Sequence, residues 1–185
     1  MNSMPLVFEN RVIKENAPFI VNYIDNHKED FGELGSNYWQ GRTIYMSRIK
    51  DDKVRSILKE HKELLLSEFY RLSEITQPVY IDSLHLVRWV EGYELKPHAD
   101  GENPDGSKHE FHWRNFGTVT FLNEDFEGGI LYLPNQKIEI PSKTGYSAIF
   151  PGTLEYLHGV TPVTKGVRYT IASFLTYDQS HEFKI

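Results

Sequence analysis

The stretch VYIDSLHLVRWV (residues 79–90) sets the character of the C-terminal part of this chain. It is rich in β-branched and aromatic residues, and six similar runs follow it, separated by Gly, Pro, Asn and Asp. Those runs are FGTVTFLN, GGILYLP, QKIEIP, YSAIFP, LHGVTPV and VRYTIASFLTYD. Many short strands in succession predict a sandwich or a barrel of antiparallel sheet.

N-terminal to that stretch, the apolar residues follow helical spacing instead. Residues 15–30 predict a short amphipathic helix, and residues 51–74 predict a longer one that opens on acidic side chains. Because the helices precede the strands rather than alternate with them, the pattern favours a mainly β fold with N-terminal helices (α+β). We expect one domain over residues 1–185, with a helical support region at 1–76 and a β-barrel core at 77–178.

The composition narrows the chemistry and the partners. The chain has 185 residues and no cysteine, so a disulfide framework, thiolate zinc sites and thiol catalysis are excluded, and a transition metal would need nitrogen and oxygen ligands. The net charge of −6, with both signs interspersed, argues against a nucleic-acid partner. With no leader-like or membrane-length apolar run, we expect a monomeric cytoplasmic protein with no membrane partner.

The tripeptide His-Ala-Asp in LKPHADG (95–101) carries the first chemical signal. Alternate residues of an extended strand point to the same side, so His98 and Asp100 can reach one point in space. His158, in the run LHGVTPV, supplies a third candidate, and two histidines with one carboxylate are the ligands that non-haem iron(II) oxygenases use. The alternatives are a polar strand end at the tripeptide and a hydrogen-bonded core histidine at 158.

Arg168 lies in the last predicted strand, VRYTIASFLT. Alternation places Arg168, Thr170, Ala172 and Phe174 on one face, while the other face is a packing surface. With both sides covered, Arg168 would be a buried cation that needs an anion, and a guanidinium binds a carboxylate through two parallel hydrogen bonds. The alternatives are pairing of Arg168 with a structural Asp or Glu, and Lys165 as the anion-binding cation.

Three segments together resemble the prolyl 4-hydroxylase-like 2-oxoglutarate oxygenases. VRWVEGYELKPHAD (87–100) is similar to the family's Arg-aromatic pair followed by Gly and His-x-Asp. FLNEDFEGGILYLP (121–134) is similar to its hairpin with an acidic loop and Gly-Gly. YSAIFPGTLEYLHGVTPVTKGVRYTIASF (146–174) resembles its closing segment, in which a Phe precedes the distal His and a basic residue follows it.

The resemblance implies a double-stranded β-helix, a jelly-roll-like barrel that holds iron(II) at its mouth, as in the compact microbial and viral members. It implies His98, Asp100 and His158 as metal ligands, Arg168 on the far carboxylate of 2-oxoglutarate, O2 as oxidant and ascorbate as reductant. The implied reaction is hydroxylation of prolyl residues in a peptide or protein, with release of succinate and CO2. Two alternatives stay open: hydroxylation of a free amino acid or other small molecule, and a non-oxygenase cupin-like metal protein.

Two aromatic residues depart from the family pattern. In the family a tyrosine often stands where this chain has Trp89, and another often stands near Phe121, so the co-substrate would lack their hydroxyl groups here. Trp89, through its indole N–H, and Thr170 are then candidate co-substrate contacts, with Thr118 and Thr120 as further possible donors. The alternative for both aromatic residues is a role as core side chains that fill the barrel.

The remaining candidates surround the expected mouth. Residues 101–113 have neither helical nor strand character, and this loop could act as a lid. The candidates for an additional metal ligand are His85, His109 and His112, and those for a peptide groove are Tyr93, Tyr132, Trp113 and Arg114. Each of them is also explained as a packing or surface residue.

Overall fold

The computed structural model describes residues 4–32 and 42–184, a β structure with two α-helices near its N-terminus. No helix in these two ranges is long and apolar enough to cross a membrane. The prediction of a mainly β fold with N-terminal helices is confirmed.

Helix α1 (Arg11–Asn26) begins where the Asn10 side chain accepts a hydrogen bond from the Ile13 N–H. The helix predicted over residues 15–30 therefore starts earlier and ends earlier, and a 3-10 turn follows over Lys28–Asp30. Sequence periodicity locates the apolar face of a helix, whereas its first residue is fixed by the capping side chain.

Helix α2 (Asp52–Ser73) matches its predicted range of 51–74. The Asp51 side chain accepts a hydrogen bond from the Val54 N–H at 2.8 Å, which caps the N-terminus. The helix stops at Glu74, whose φ of 60° lies in the left-handed region.

Twelve strands form three antiparallel sheets in the described part of the chain. The strands are β1 (Leu6–Glu9), β2 (Thr43–Tyr45), β3 (Tyr80–Trp89), β4 (Leu95–His98), β5 (Phe116–Phe121), β6 (Glu127–Gly128), β7 (Leu131–Leu133), β8 (Ile138–Ile140), β9 (Tyr146–Pro151), β10 (His158–Val160), β11 (Val163–Lys165) and β12 (Arg168–Thr176). The six-stranded sheet has the order β1-β9-β5-β12-β3-β2, and the four-stranded sheet has the order β4-β10-β7-β8. Strands β11 and β6 pair in a third, two-stranded sheet.

Strands β1 and β2 come from the region expected to be a helical support. Strand β1 pairs with β9 and β2 pairs with β3, so the two strands form opposite edges of the six-stranded sheet. They have only four and three residues, which is too short for alternation to stand out in a sequence.

Strand β12 lies at the centre of the six-stranded sheet, between β5 and β3, and all nine of its residues are buried. On one face, Tyr169 and Ile171 pack with apolar residues of α1 and α2. On the other face, Ala172 packs with residues of both large sheets, among them Leu131 and Val160. The two sheets therefore enclose an interior of their own, and this is the predicted double-stranded β-helix.

The helix-facing core is large and consists mostly of aliphatic side chains. Its fully buried members include Ile13, Ile20, Ile24, Ile44 and Leu58. Each such side chain contributes about 1.5–3 kcal/mol when it leaves water. This layer stabilises the sheet from outside, so the inner face of the sheet is free to carry polar groups.

His61 joins the two helices inside that layer. It is fully buried on α2, and its Nδ1 accepts a hydrogen bond of 2.8 Å from the Asn10 side-chain amide, next to the start of α1. Its Nε2 is buried without a hydrogen-bond partner in the described residues. Burial lowers the pKa of His61 to about 3, so the ring is neutral in the folded protein at neutral pH.

We expect His61→Asn to reduce the loss in free energy of unfolding that occurs as the pH falls. His61 has a folded pKa of about 3 and an ordinary unfolded value near 6.5, so its contribution is complete above about pH 6.5 and is lost as the pH falls towards 3. The loss has a slope of about 1.4 kcal/mol per pH unit. The asparagine retains a hydrogen-bond acceptor for Asn10 and cannot be protonated.

The measurement is the free energy of urea unfolding at pH 7 and pH 4.5 for both proteins. Burial also lowers the pKa values of His85 and His158, but both remain in the variant and cancel in the comparison. If both proteins lost the same free energy of unfolding between pH 7 and pH 4.5, His61 would not be the titrating group.

Candidate active site

The three predicted metal ligands come from two neighbouring strands of the four-stranded sheet. His98 ends strand β4, and Asp100 follows two positions later. His158 begins strand β10, which pairs with β4 so that His158 stands opposite His98. Sheet pairing therefore brings together residues that lie far apart in sequence.

The three side chains form a compact group with the geometry of a metal site. His98 Nε2 lies 3.6 Å from Asp100 Oδ1, and His158 Nε2 lies 3.6 Å from Asp100 Oδ2. One ligand atom from each residue lies within 4.8 Å of the other two. Distances of 3.6 Å are long for hydrogen bonds but allow all three atoms to contact one ion.

Two of the three side chains already have the protonation state that a metal requires. Burial raises the pKa of Asp100, but its interactions with His158, His98 and Arg114 lower it by more, so the carboxylate is ionised. Burial lowers the pKa of His158 to about 4, which keeps its ring neutral. Burial lowers the pKa of His98 too, but Asp100 outweighs this effect and the net pKa lies above its usual value, so a metal ion would compete with a proton at Nε2. His98 Nδ1 donates a 3.0 Å hydrogen bond to the Lys96 carbonyl, which leaves Nε2 as the nitrogen that can bind an ion.

Three glycines allow the backbone to pack tightly around Asp100. The Gly101 N–H donates to the Gly152 carbonyl at 2.9 Å. A Cβ on either glycine would lie within 2.7 Å of the Arg114 carbonyl oxygen. A Cβ on Gly117, in strand β5, would lie 2.2 Å from Asp100 Oδ2 and 2.7 Å from the Phe150 ring. Only glycine at position 117 is compatible with the observed position of the carboxylate.

Arg168 is buried on the inner face of β12, as its position in the sequence predicted. Its side chain is 1% exposed, and its Nε and Nη2 have no hydrogen-bond partner among residues 4–32 and 42–184. The rings of Trp89 and Phe121 lie 5.2 Å from the guanidinium carbon. Burial lowers the pKa of Arg168 to about 9, so the group is still a cation at neutral pH. The alternative of a structural Asp or Glu partner is not observed among these residues.

Arg168 and the three ligand candidates line one narrow cavity, with about 40 Å³ of water-accessible space. Apart from the ligand candidates and Arg168, the lining consists mainly of apolar side chains. The lining residues are Val87, Trp89, Leu95, His98, Asp100, Gly117, Thr118, Val119, Leu131, Phe150, His158, Val160, Arg168, Thr170, Ala172 and Phe174.

The secondary co-substrate candidates separate into two groups. Trp89 and Thr170 line the cavity next to Arg168 on the paired strands β3 and β12. The hydroxyl groups of Thr118 and Thr120 instead form 2.6 Å hydrogen bonds with Ser173 and Ser147. Those two threonines are thus engaged between strands, and Thr170 is the threonine that remains available to a ligand.

The competing cation and the loop histidines lie elsewhere. Lys165 is an exposed residue that pairs with Glu127 at 2.7 Å. The His109 ring accepts a hydrogen bond from the Phe111 N–H inside the loop, and the His112 ring lies edge-on to Trp113. His85 lies on strand β3, and none of the three histidines joins the group of possible metal ligands.

Among the groove candidates, Trp113 and Arg114 form a polar cluster with Asp82, which the sequence did not reveal. Asp82 Oδ2 accepts 2.9 Å hydrogen bonds from Trp113 Nε1 and Arg114 Nε. The Arg114 guanidinium also lies 3.7 Å from the centre of the Phe174 ring. Because Phe174 lines the cavity, this cluster anchors the C-terminal end of the loop over residues 101–113 beside the site.

Neither of the other two groove candidates lines the cavity. The Tyr93 ring packs against the guanidinium of Arg42 at 3.5 Å. The Tyr132 ring, on β7, packs on Gly159 beside His158, and a Cβ on that glycine would come within 2.9 Å of it.

A family model described as the 2OG-Fe(II) oxygenase superfamily matches residues 84–176, half of the chain. The chain belongs to this superfamily. The matched range contains all three ligand candidates and Arg168. Members of the superfamily use iron(II), 2-oxoglutarate and O2, and the donor set and the buried cation described above fit those groups.

Curated relatives match only part of their own length. Prolyl 3-hydroxylase 1 from Gallus gallus is 36% identical over 74 residues, which are 37% of this chain and 10% of that protein. The multifunctional procollagen lysine hydroxylase and glycosyltransferase from Caenorhabditis elegans is 31% identical over 105 residues, 54% of this chain and 13% of that protein. The chain thus spans about a tenth of the length of these relatives.

Solved structures share the fold over nearly the whole chain. The viral collagen prolyl hydroxylase from Paramecium bursaria Chlorella virus 1, in its 2OG complex, aligns with a TM-score of 0.71 at 14% identity, covering 98% of this chain and 97% of that one. A Pseudomonas putida prolyl-4-hydroxylase aligns with a TM-score of 0.67 at 12% identity, covering 93% and 91%. At such identities the likeness shows the fold, and it agrees with the two-sheet barrel.

We expect Gly117→Ala to weaken metal binding by about 10- to 100-fold, the usual effect of disturbing groups that orient a ligand. The added methyl group would occupy the position of Asp100 Oδ2, so the carboxylate must move away from the two histidines. The measurement is titration of the purified protein with Co²⁺ or Mn²⁺ by calorimetry.

The matched control is Gly106→Ala. Gly106 has a φ of 76°, and a Cβ there would meet nothing within 4 Å, so this variant has backbone strain without displacing a ligand. Equal metal affinity of Gly117→Ala and wild type would show that Asp100 does not bind the metal.

Proposed function

We propose that this chain is an iron(II)- and 2-oxoglutarate-dependent dioxygenase that hydroxylates prolyl residues in a peptide or protein. The observation that carries the proposal is a buried guanidinium that has no anionic partner in the described part of the chain and shares a cavity with a two-histidine, one-carboxylate group. A cation in that environment is costly unless a ligand supplies the anion. A dicarboxylate with a keto group that can chelate a metal satisfies both ends of the cavity.

The residues of the chain have separate roles in this proposal. His98, Asp100 and His158 would hold iron(II) from one side and leave its other side for ligands. Arg168 would bind the far carboxylate of 2-oxoglutarate through Nε and Nη2, with Thr170 and Trp89 beside it. When bound, iron(II), 2-oxoglutarate and O2 supply the oxidation: one oxygen atom enters the substrate as a hydroxyl group and the other enters succinate, with release of CO2.

The apolar lining supports the same chemistry. Val119, Leu131 and Phe150 surround the space between the ligand candidates and Arg168, and they limit the access of water to it. A dry site strengthens the interaction of Arg168 with a carboxylate and protects a reactive intermediate from side reactions. The protein thus acts mainly by positioning the reactants.

The prolyl substrate is supported by the relatives. A prolyl 3-hydroxylase matches in sequence, and prolyl hydroxylases that include one from Trichoplax adhaerens in complex with a hypoxia inducible factor peptide fragment match in fold. The alternative, a free amino acid or other small molecule, uses the same residues and differs only in what binds beside the metal. A cupin-like metal protein without oxygenase activity would have no use for the buried Arg168.

Further parts of the proposal concern the conditions of catalysis. We infer that ascorbate serves as reductant and that a monomer acts in the cytoplasm without a nucleic-acid partner. The net charge of −6 and the absence of cysteine agree with this setting.

The deciding experiment is anaerobic reconstitution with iron(II) and 2-oxoglutarate. Formation of the metal chelate is monitored by its weak visible absorption. Oxygen is then admitted, and succinate is measured with proline-rich peptides, with lysine-containing peptides, with free proline and without substrate, each with and without ascorbate. We expect a chelate band and succinate formation that only proline-containing peptides stimulate, with a peptide product 16 mass units heavier.

Each other outcome has a distinct meaning. If free proline alone stimulated succinate formation, the substrate would be a small molecule rather than a peptide. If lysine-containing peptides stimulated it, the hydroxylated residue would be lysine rather than proline. Failure to form the chelate would overturn the oxygenase proposal and favour the metal-protein alternative.

We expect Arg168→Lys to raise the apparent KM for 2-oxoglutarate by about 10- to 100-fold. An ammonium group cannot make the two parallel hydrogen bonds of a guanidinium, and its shorter side chain leaves part of the carboxylate unpaired. The measurement is the rate of succinate formation against the concentration of 2-oxoglutarate, with peptide and iron(II) held at saturation.

Lys165→Met is the matched control, because it removes the competing cation, which is exposed and paired with Glu127. An unchanged KM in Arg168→Lys together with a raised KM in Lys165→Met would assign the anion to Lys165 instead.

A further inference from the structure

The strand register gives the cavity two distinct ends. At one end lies Arg168, opposite Trp89 on β3. At the other end of the same face of β12 lies Phe174, which pairs with Gly117, the residue in contact with Asp100. A 2-oxoglutarate molecule whose far carboxylate binds Arg168 would fill the first end and extend towards the metal ligands, which leaves the Phe174 end for the substrate.

His85 lies on the substrate end of the inner face. It stands two positions before Val87 on strand β3 and pairs with Ala172 on β12, and both of these residues line the cavity. On its other side it pairs with Tyr45 of strand β2. The residues on either side of His85 in the chain, Leu84 and Leu86, point to the helices. Because side chains alternate along a strand, His85 points towards the interior of the barrel.

The surroundings of His85 are aromatic and, on one side, include an ion pair. The Tyr45 ring meets the imidazole edge-on at 4.6 Å between ring centres, and the Phe174 ring lies at 6.2 Å. Arg114 lies 3.7 Å from the Phe174 ring centre. The carboxylate of Asp82 pairs with Arg114 and also accepts a hydrogen bond from Trp113.

The imidazole has hydrogen-bonding capacity that the fold does not use. Nδ1 of His85 is buried and has no hydrogen-bond partner within the described ranges of the chain. Burial, followed by the charge of Arg114, lowers the pKa of His85 to about 4, so the ring is neutral under ordinary conditions. A neutral imidazole offers one donor and one acceptor, which suits an uncharged polar group such as a peptide amide.

We propose that His85 is a substrate-recognition residue that hydrogen-bonds a backbone amide group of the peptide next to the reacting prolyl ring. Tyr45 and Phe174 would form the apolar wall against which that ring packs. The inference rests on the proposed function. The uncharged prolyl ring suits this aromatic wall, whereas a lysine ammonium group would leave water for a site where the carboxylate of Asp82 is already hydrogen-bonded.

The test combines variants of His85 with variants of the peptide backbone. His85→Phe and His85→Leu remove the hydrogen bond with two different shapes, and His85→Gln retains a donor and an acceptor. A set of prolyl peptides carries single amide-to-ester replacements at the N–H of the residue before the proline and at the N–H of the residue after it, because proline itself has no N–H. The readouts are KM and kcat for peptide hydroxylation and the chelate absorption with iron(II) and 2-oxoglutarate. His27→Phe is the matched control, since His27 stacks on Tyr23 at the end of α1.

We expect His85→Phe and His85→Leu to raise the KM for the peptide about tenfold with little change in kcat, the effect of one lost hydrogen bond. The affinity for 2-oxoglutarate should be unchanged in both, and His85→Gln should recover most of the loss. One ester replacement should weaken the wild-type enzyme about tenfold and leave His85→Phe unaffected, because the same hydrogen bond is removed in both cases.

The inference is overturned if the KM for the peptide is unchanged in both His85→Phe and His85→Leu. It is also overturned if each ester replacement weakens these variants as much as it weakens the wild-type enzyme. It is also overturned if these variants lose the 2-oxoglutarate chelate, because His85 would then maintain the barrel rather than read the peptide. A wild-type protein that forms no chelate would instead overturn the proposed function itself, so the two failures are distinct.

Discussion

The buried guanidinium of Arg168 is the constraint on which the inner half of this molecule depends. Arg168 is 1% exposed, and two of its nitrogen atoms have no hydrogen-bond partner in the part of the chain that the structure describes. Such a cation is strongly destabilising in an apolar interior unless an anion binds it. The surrounding residues are arranged to keep it there: the rings of Trp89 and Phe121 face it, and a Cβ on Gly129 would lie 2.9 Å from its Cδ. The barrel thus maintains a positive charge where a dicarboxylate can reach it.

The outline of the fold could be predicted from the sequence because it depends on periodicity. The long helix α2 and the strands after residue 77 have enough residues for apolar alternation or helical spacing to be seen. Strands β1 and β2 could not be predicted in this way, because each is very short and acquires its structure by pairing with the edge of a sheet. The start of α1 was misplaced for a related reason, since the Asn10 cap fixes it rather than the apolar face.

In the candidate site, too, some residues could be predicted from the sequence and others could not. His98 and Asp100 are two positions apart, and Arg168 lies in a long strand, so alternation predicts where their side chains point. The parts played by Gly117, Asp82 and His85 depend on which strand lies beside which, and a single sequence contains no such information. The same holds for Thr118 and Thr120, because their hydroxyl groups are taken by serines on neighbouring strands.

The distribution of paired and unpaired buried polar groups indicates which face of the sheet binds ligands. An unpaired buried polar group costs about 1–3 kcal/mol, and a buried charge costs more. Within the described residues, Arg168, Asp100 and His85 retain unpaired atoms on the inner face of the barrel, whereas the hydroxyl groups of Thr118 and Thr120 on the outer face are paired. The aliphatic layer between the helices and the sheet offsets that cost from outside. The proposed ligands, 2-oxoglutarate at the Arg168 end and a peptide at the His85 end, would pair these inner groups and so stabilise the folded state by mass action.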